Sequence, residues 1–581
     1  MIHTRKDNSS NNNDRKLILV KNKRGKTVGI PTKQRALILQ GGGALGAYEI
    51  GVLQSIYEHL AKDIGIDKKA GRAESESLFD IVAGVSIGAI NAVFLVDYVL
   101  KHNNSWNNSL LSLENFWDNF IANTFADRNP FFDLMWSAVR FFNKDAASFE
   151  SARRYWSYYE LACTVWPFGL GYSPNLCSSI QKLDWKFLSP LNNYLAYDFR
   201  PLRNLLMETA KIDYPIKTSF EMNQPRLLLV GVDVKDCSTA VTFDSYPSYS
   251  ITCDVCGQDF KENDSLVSHM KTNHIKGLVY PLKKSGGSSS SLSTTLSDSD
   301  ADVSKLRTIF ESHDNRLWYS VYGDAATEEQ KHVVCYDGIG EDQLMASCLF
   351  PYSNYHPTMY DLVTKEKRTF WDGAFLSNTP LRELLQRHRD FWENYFKDNN
   401  IDWDEFGLET KEAEGRKKPD KELPKVPDLE IFIVNLYPSL ETLDELIPSD
   451  RDKIMDRMSD ITFHDRTNYD EKVADTVTDY IDLSRELIVL AKQKGATEDE
   501  IKRILTMEGE SKRRDIRQKR RYGSLLEGRF RVKVHRIQRQ DDGDTIFGKA
   551  SDFSYTTVKN LKKIGKEETD KWFESNSYVI S

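Results

Sequence analysis

The sequence predicts an α/β fold, a three-layer α/β/α arrangement around a mainly parallel central sheet. Two units predict it, at residues 36–60 and 79–99, and each has a short apolar strand, a glycine-rich turn and a helix. Repeated strand-to-helix units form parallel sheets that helices cover on both faces. Further buried strands are expected at 226–234 and 429–438, because both segments are almost continuously apolar.

The composition is that of a folded, enzyme-sized chain. Its 581 residues are 40% hydrophobic and 28% charged, which excludes a wholly disordered protein. The spacing of the seven cysteines does not suggest a disulfide framework, which fits a reducing compartment. The first residues lack the apolar run of a signal peptide. We therefore expect a cytoplasmic protein.

Positive charge is concentrated in two segments, although the net charge of the chain is −8. Residues 1–35 carry ten Lys and Arg against two Asp, and residues 511–540 carry twelve against two acidic residues. Such runs are commonly solvated surfaces, but each basic residue near an anionic bilayer also contributes about 1 kcal/mol of attraction. We therefore expect peripheral contact with a membrane surface. The negative net charge of the whole chain argues against a dedicated nucleic-acid binder.

Residues 79–100 are long enough to suggest a transmembrane helix. Asp80, Asn91 and Asp97 interrupt the apolar run, so a strand, a tight turn and a helix explain the segment better.

Shifts in composition divide the chain into seven parts. In order, these are a basic flexible tail (1–30), the first part of the core with an aromatic helical cap (31–246), an insertion (247–280), a Ser-rich linker (281–304), the second part of the core (305–438), a charged helical region (439–527), and a C-terminal strand and helix packing on the core (528–581). The cap is dense in Trp, Phe and Tyr, which is typical of a helix buried on all sides or of a cover over an apolar pocket.

The clearest catalytic pattern is Gly84-Val85-Ser86-Ile87-Gly88, between a predicted strand and a predicted helix. A sharp turn there exposes Ser86 as a nucleophile, and the glycines avoid collisions with the strand and the helix. The N-terminus of the following helix favours negative charge near Ser86. The alternative is a glycine turn that serves packing alone.

A serine nucleophile needs a base. By chain order, His388, His464 or His535 could complete a histidine triad, although none follows a recognisable strand. Asp372 is the other candidate, in the segment WDGAFLSNTPL, where it follows an apolar edge and precedes a turn. Asp-Gly also marks ordinary turns, which is the competing interpretation of Asp372.

Three motifs in this order resemble the patatin-like phospholipase family: GGGALG followed by YEIGVL, then GVSIG, then WDGAFLSNTPL. The resemblance implies a dyad in which Asp372 takes the proton of Ser86 directly. It also implies an oxyanion hole built from the backbone N–H groups of Gly42 and Gly43, with Gly41 as a third candidate. The implied activity is that of a lipase or phospholipase A on lipid carboxyl esters, with no cofactor required for catalysis.

The insertion has the spacing of a two-cysteine two-histidine zinc finger, with candidate ligands Cys253, Cys256, His269 and His274. Two thiolates and two imidazoles complete a tetrahedron around zinc, so the predicted ion is structural and the predicted module is a small ββα finger.

The finger is not expected to bind DNA. Glu262, Ser265 and Ser268 occupy the helix positions that would face base edges, and they offer little attraction to phosphates or guanines. A metal-stapled insertion and a small protein-docking module are both compatible with this pattern.

The sequence leaves two classes of function open. The first is a lipid acyl hydrolase, and the second is a non-enzymatic scaffold in which the finger and the charged helices bind a partner. They differ in whether Ser86→Ala abolishes an activity.

Overall fold

The computed structural model places most of its described residues in a central sheet and the helices around it. It describes residues 17–22, 25–63, 77–102, 105–122, 138, 178–183, 193–237, 240–246, 258, 260, 265, 268–269, 272–273, 320–322, 331–334, 338–351, 353, 355–361, 366–403, 423–438, 451–509, 520–526, 530–540 and 549–575.

The described residues form sixteen strands and ten α-helices. The strands are β1 (Leu17–Lys21), β2 (Thr27–Pro31), β3 (Lys33–Leu39), β4 (Ile81–Gly84), β5 (Ser178–Leu183), β6 (Asn193–Asp198), β7 (Arg226–Asp233), β8 (Val241–Asp244), β9 (Ser320–Tyr322), β10 (Lys331–Val334), β11 (Thr358–Asp361), β12 (Glu366–Asp372), β13 (Asp428–Asn435), β14 (Glu508–Gly509), β15 (Arg520–Arg521) and β16 (Val532–Gln538). The helices are α1 (Gly46–Asp63), α2 (Ile87–Lys101), α3 (Trp106–Phe116), α4 (Arg200–Asn204), α5 (Glu341–Cys348), α6 (Leu381–Asp398), α7 (Arg451–Phe463), α8 (Asn468–Gln493), α9 (Glu498–Leu505) and α10 (Tyr555–Ser575).

The central sheet is mainly parallel, which confirms the α/β prediction. Its strand order is β16-β13-β3-β4-β7-β8-β10-β9, and the first five strands run parallel to one another. β8 and β12 are antiparallel to β7, and β9 is antiparallel to β10. The central strands are buried on both faces, which explains why their sequences are continuously apolar.

Helices cover both faces of this sheet. Leu37 and Leu39 of β3 join one hydrophobic cluster with α1, α2, α3 and α10, whereas Ala36 and Ile38 join a second cluster with α6. Because neighbouring side chains of a strand point to opposite faces, the two clusters lie on opposite sides of the sheet.

The C-terminal helix α10 packs closely on α1 because two glycines lie at the contact. A Cβ atom at Gly51 would lie 1.9 Å from the Lys562 carbonyl oxygen, and one at Gly565 would lie 2.3 Å from the Tyr48 carbonyl oxygen. The C-terminal part of the chain is thereby held beside the start of α1, where the glycine-rich turn ends.

Two segments differ from the sequence expectation. The antiparallel pair β1 and β2 lies almost wholly in the segment 1–30 that was assigned to the flexible tail, because the short apolar runs LILV and VGI form strands and Val28 and Ile30 are buried. Residues 178–198, assigned to the helical cap, contain the antiparallel pair β5 and β6, since aromatic density alone does not distinguish helix from strand. The serine-rich linker lies outside the described residues.

Residues 79–100 form β4, a turn and α2, as expected. Among the described helices, none combines the length and the apolar character needed to cross a bilayer.

Candidate active site

Ser86 lies on a strained turn between β4 and α2. Its backbone has φ 55° and ψ −124°, a left-handed conformation that costs a non-glycine residue roughly 1–3 kcal/mol. The glycines on either side are required by close contacts. A Cβ atom at Gly84 would lie 2.4 Å from the Gly88 carbonyl oxygen, and one at Gly88 would lie 2.4 Å from the Leu39 carbonyl oxygen.

The backbone of Ser86 is held by two helices. Its N–H donates to the Ser347 carbonyl oxygen at the end of α5, at 2.9 Å, and its carbonyl oxygen accepts from the Ala89 N–H at 3.0 Å in α2. The Cys348 thiol also donates to that carbonyl oxygen, at 3.1 Å. Ser86 therefore caps α2, whose N-terminal dipole favours negative charge at this position.

Strand register brings Asp372 to the end of β4. Gly84 pairs with Leu229 of β7, and Asp372 pairs with Gly231 of the same strand. Because β8 occupies the other edge of β7 over this stretch, β4 and β12 share one edge and meet nearly end to end. The two pairing positions are two residues apart along β7, which is about 7 Å.

The carboxyl group of Asp372 is fully buried. Its Oδ1 accepts a hydrogen bond from the Ala374 N–H at 2.8 Å, and Oδ2 has no partner of regular geometry among the described residues. Burial raises the pKa of this carboxyl from 3.8 to about 7, although the Ser86 hydroxyl and the Ala374 N–H both act to lower that pKa. The group can thus both hold and release a proton near neutral pH.

The glycine-rich turn lies directly against Ser86. A Cβ atom at Gly41 would lie 2.9 Å from the Ser86 Cβ atom, and Gly43 has a positive φ of 56°. The Gly41 N–H donates to the Asn378 side-chain oxygen at 3.0 Å, so it is not free to bind a substrate oxygen. The N–H groups of Gly42 and Gly43 donate no hydrogen bond within the described chain.

Two polar residues of the site were missed by the sequence analysis. Asn378 forms hydrogen bonds with both the N–H and the carbonyl oxygen of Gly41. The Gln40 side chain donates to the Thr379 hydroxyl and to the Phe463 carbonyl oxygen, both at 3.0 Å. The only signal for Asn378 was its position in the segment WDGAFLSNTPL, after Asp372.

Ser86, Asp372 and all three glycines line one pocket of about 160 Å³. Its other lining residues are largely apolar: Ile87, Ile90, Phe199, Leu202, Cys348, Phe350, Ala374, Tyr437, Ser459, Phe463, Ala550, Ser551 and Phe553. Segments that are far apart along the chain thus build its walls, including α7 and the segment that precedes α10.

A comparison with protein-family models finds a match to part of the chain. Residues 37–209 match the family model described as patatin-like phospholipase. The match begins in β3 and includes the glycine-rich turn and Ser86, and it ends before Asp372.

Other comparisons are weaker. No curated protein sequence matches the chain significantly. Among solved structures, the chain is similar to VipD from Legionella pneumophila, with 10% sequence identity, a TM-score of 0.21, and coverage of 97% of this chain and 72% of that one. A TM-score this low does not indicate a shared fold.

None of the three candidate histidines lines the pocket that Ser86 and Asp372 share. His388 is buried beneath the opposite face of the sheet, where its Nε2 lies 2.7 Å from the Pro427 carbonyl oxygen and burial lowers its pKa to about 3. His535 pairs with Glu430 at 3.2 Å in the sheet, and the His464 ring contacts the Ile461 carbonyl oxygen.

Of the four candidate zinc ligands, the structure describes only His269. Its Nδ1 lies 2.8 Å from the Asn273 side-chain nitrogen, and its ring centroid lies 4.6 Å from that of Phe260. Cys253, Cys256 and His274 lie outside the described residues. Among the residues that the structure describes, no group of three or more metal-binding side chains is found.

Proposed function

We propose that the protein is a serine acyl hydrolase that cleaves lipid carboxyl esters, with Ser86 as nucleophile and Asp372 as base. The observation that carries this proposal is the shared pocket, which Ser86, Asp372 and the glycine-rich turn all line. The patatin-like phospholipase match at residues 37–209 supports a lipid as the substrate class.

Acylation follows from the positions of these groups. Ser86 Oγ attacks the ester carbonyl carbon while Asp372 accepts its proton, and the carbonyl oxygen becomes an oxyanion. The N–H groups of Gly42 and Gly43, which have no other acceptor in the described chain, stabilise that oxyanion. Collapse of the intermediate expels the alcohol or lysolipid, which takes the proton from Asp372.

Deacylation reverses the roles. Water attacks the acyl-serine, and Asp372 accepts the proton of the water. The second tetrahedral intermediate then breaks to release the fatty acid, and Ser86 recovers its proton from Asp372. Atoms and protons balance over the cycle without a cofactor.

The environment of Asp372 suits a base that acts without histidine. A carboxylate in water is a poor base for a hydroxyl group, but burial raises the pKa of Asp372 to about 7. A base whose pKa lies near the working pH combines a useful ionised fraction with a stronger pull on the proton.

The apolar walls of the pocket favour the acyl chain over a polar group. Ile90, Leu202, Phe350, Phe463 and Phe553 all line it. Burial of a methylene group contributes about 0.8 kcal/mol, so an acyl chain on these walls supplies binding energy and orients the ester toward Ser86.

The test is product analysis. The purified protein is incubated with mixed phospholipids and neutral glycerides, and released fatty acids and lysolipids are identified by mass spectrometry. We expect fatty-acid release that is lost in Ser86→Ala at unchanged folding. No release from any ester, or equal release by Ser86→Ala, would reject the hydrolase and favour the scaffold alternative.

We also propose that Cys253, Cys256, His269 and His274 bind one structural zinc ion, because two thiolates and two imidazoles are the donors that zinc prefers. Metal analysis of the wild type and Cys253→Ser tests this, with one zinc per chain expected and then lost. Equal zinc content would contradict it. Docking of a protein partner by the finger is a separate proposal.

Peripheral membrane contact through the basic segments 1–35 and 511–540, in a cytoplasmic protein, is a further proposal. Sedimentation with vesicles that contain anionic lipid should exceed sedimentation with neutral vesicles and should fall with added salt. Equal sedimentation with both would contradict it.

A further inference from the structure

Asn378 and the backbone of Gly41 exchange two hydrogen bonds. The Gly41 N–H donates to Asn378 Oδ1 at 3.0 Å, and Asn378 Nδ2 donates to the Gly41 carbonyl oxygen at 3.1 Å. Asn378 is 7% exposed, so water competes little for these bonds. A single side chain therefore holds both polar groups of the residue that contacts Ser86.

Peptide geometry extends this control to the next residue. The Gly41 carbonyl and the Gly42 N–H belong to one planar trans peptide, in which they point in opposite directions. Since the carbonyl is turned toward Asn378, the Gly42 N–H is turned away from it. The direction of one candidate oxyanion donor is thus set by the Asn378 amide.

The amide itself is held in one orientation. Asn378 Nδ2 also donates to the Phe463 carbonyl oxygen at 2.8 Å, and Gln40 Nε2 donates to that same carbonyl at 3.0 Å. A reversed amide would place its oxygen against the carbonyls of Gly41 and Phe463, and its NH₂ group against the Gly41 N–H. These three partners make the assigned orientation the only one that satisfies all of them.

We propose that Asn378 is the positioning residue of the oxyanion hole, and that it orients the Gly42 N–H while it withdraws the Gly41 N–H from the hole. The inference rests on the proposed hydrolase function. An oxyanion donor acts on charge that develops in the transition state, so a misdirected donor lowers kcat and leaves KM nearly unchanged.

Two variants test the inference with an ester that the wild type cleaves. Asn378→Asp keeps the size of the side chain and an acceptor for the Gly41 N–H, but it loses the donor to the Gly41 carbonyl. Asn378→Ala loses both without adding a charge. We expect kcat to fall in both by about 10- to 100-fold, below the loss of a whole donor, with KM within about twofold.

Asn399→Asp is the matched control. Asn399 is a buried Asn whose Nδ2 donates to a backbone carbonyl, of Tyr395 at 2.9 Å, at the end of α6, and it does not line the pocket. Its kcat should equal the wild-type value. The pH profile of Asn378→Ala should keep its inflection near 7, because Asp372 is untouched, whereas a displaced inflection would indicate damage to the base.

The outcomes separate the two claims. Wild-type kcat in a folded Asn378→Ala or Asn378→Asp overturns the positioning role while Ser86→Ala still abolishes activity. A raised KM with unchanged kcat, or failure of both variants to fold, also overturns it in favour of a binding or purely structural role. If the wild type cleaves no ester, the proposed function fails first and this inference falls with it.

Discussion

Gly84 and Asp372 pair with the same edge of β7, Gly84 opposite Leu229 and Asp372 opposite Gly231. The turn that carries Ser86 begins at Gly84. The pairing of the strands therefore brings the serine and the carboxyl group close together. The strained φ of Ser86 and the fully buried carboxyl of Asp372 are held by this register rather than by a mobile loop. The predictions below follow from that arrangement.

Activity should depend on the ionisation of one buried carboxyl group. Because burial raises the pKa of Asp372 to about 7 and the base must be ionised, kcat/KM should rise with pH through that region and level off above it. A pH series from about 5 to 9 checks this, and His464→Ala should reproduce the wild-type curve. A flat curve over that range would show that another group is the base.

Asp372→Asn should stabilise the protein at high pH. The pKa of Asp372 is raised by folding, so its contribution to stability is fully present below pH 3.8 and is lost as pH rises through about 7. At about 1.4 kcal/mol per pH unit between the two pKa values, the buried charge costs on the order of 4 kcal/mol at pH 8.

Urea unfolding of the wild type and Asp372→Asn at pH 4 and pH 8 measures this difference. We expect the variant to be more stable at pH 8 by up to that amount and nearly equal to the wild type at pH 4. Lower stability of the variant at pH 8 would mean that the carboxylate is stabilised in the folded state.

Ser86→Gly should be more stable than Ser86→Ala. The φ of 55° and ψ of −124° at this position are the mirror image of an extended conformation, which glycine adopts freely and alanine does not. We expect a difference of about 1 kcal/mol in the free energy of unfolding, at the low end of the strain expected for such backbones. Equal stability of the two inactive variants would show that the turn relaxes without its serine.

Lys549 should hold two walls of the pocket together. Its Nζ lies 2.7 Å from Asp460 and 3.2 Å from Asp456, both on α7, and it directly precedes the segment that contributes Ala550 and Ser551 to the pocket. Lys549→Met leaves two buried carboxyl groups without their cation, which typically costs about 3–5 kcal/mol.

This loss should be larger at pH 8 than at pH 5, because burial raises the pKa of Asp456 to about 7 and also raises the pKa of Asp460, so that acid favours the neutral form of both carboxyl groups. Lys563→Met, which removes an exposed ion pair with Glu567 at 3.7 Å, is the control and should cost less than about 1 kcal/mol. Equal thermal unfolding of the two variants would contradict the account.

Local motifs predicted the elements of the site well. GVSIG predicted the strand-turn-helix around Ser86, because only glycine tolerates the contacts now seen at Gly84 and Gly88. The continuously apolar runs predicted buried parallel strands, because each face of such a strand must be covered. These inferences needed no information from distant parts of the chain.

Contacts between distant segments could not be predicted in the same way. Nothing in the sequence near Gly41 indicates that Asn378 binds its backbone, and nothing near Ser459 or Phe463 indicates that a charged helix lines the pocket. The motif alone does not decide whether Gly41 belongs to the oxyanion hole. In the structure its N–H donates to the Asn378 side chain. Such relationships depend on tertiary packing, which periodicity does not encode.

Covalent capture of the nucleophile tests the central claim most directly. The protein is reacted with a fluorophosphonate that carries a long alkyl chain, digested, and mapped by mass spectrometry beside Asp372→Asn and Ser86→Ala. We predict one adduct on Ser86 in the wild type, strongly slowed labelling in Asp372→Asn, and none in Ser86→Ala. An adduct on a different residue, or undiminished labelling of Asp372→Asn, would contradict a Ser86 nucleophile activated by Asp372.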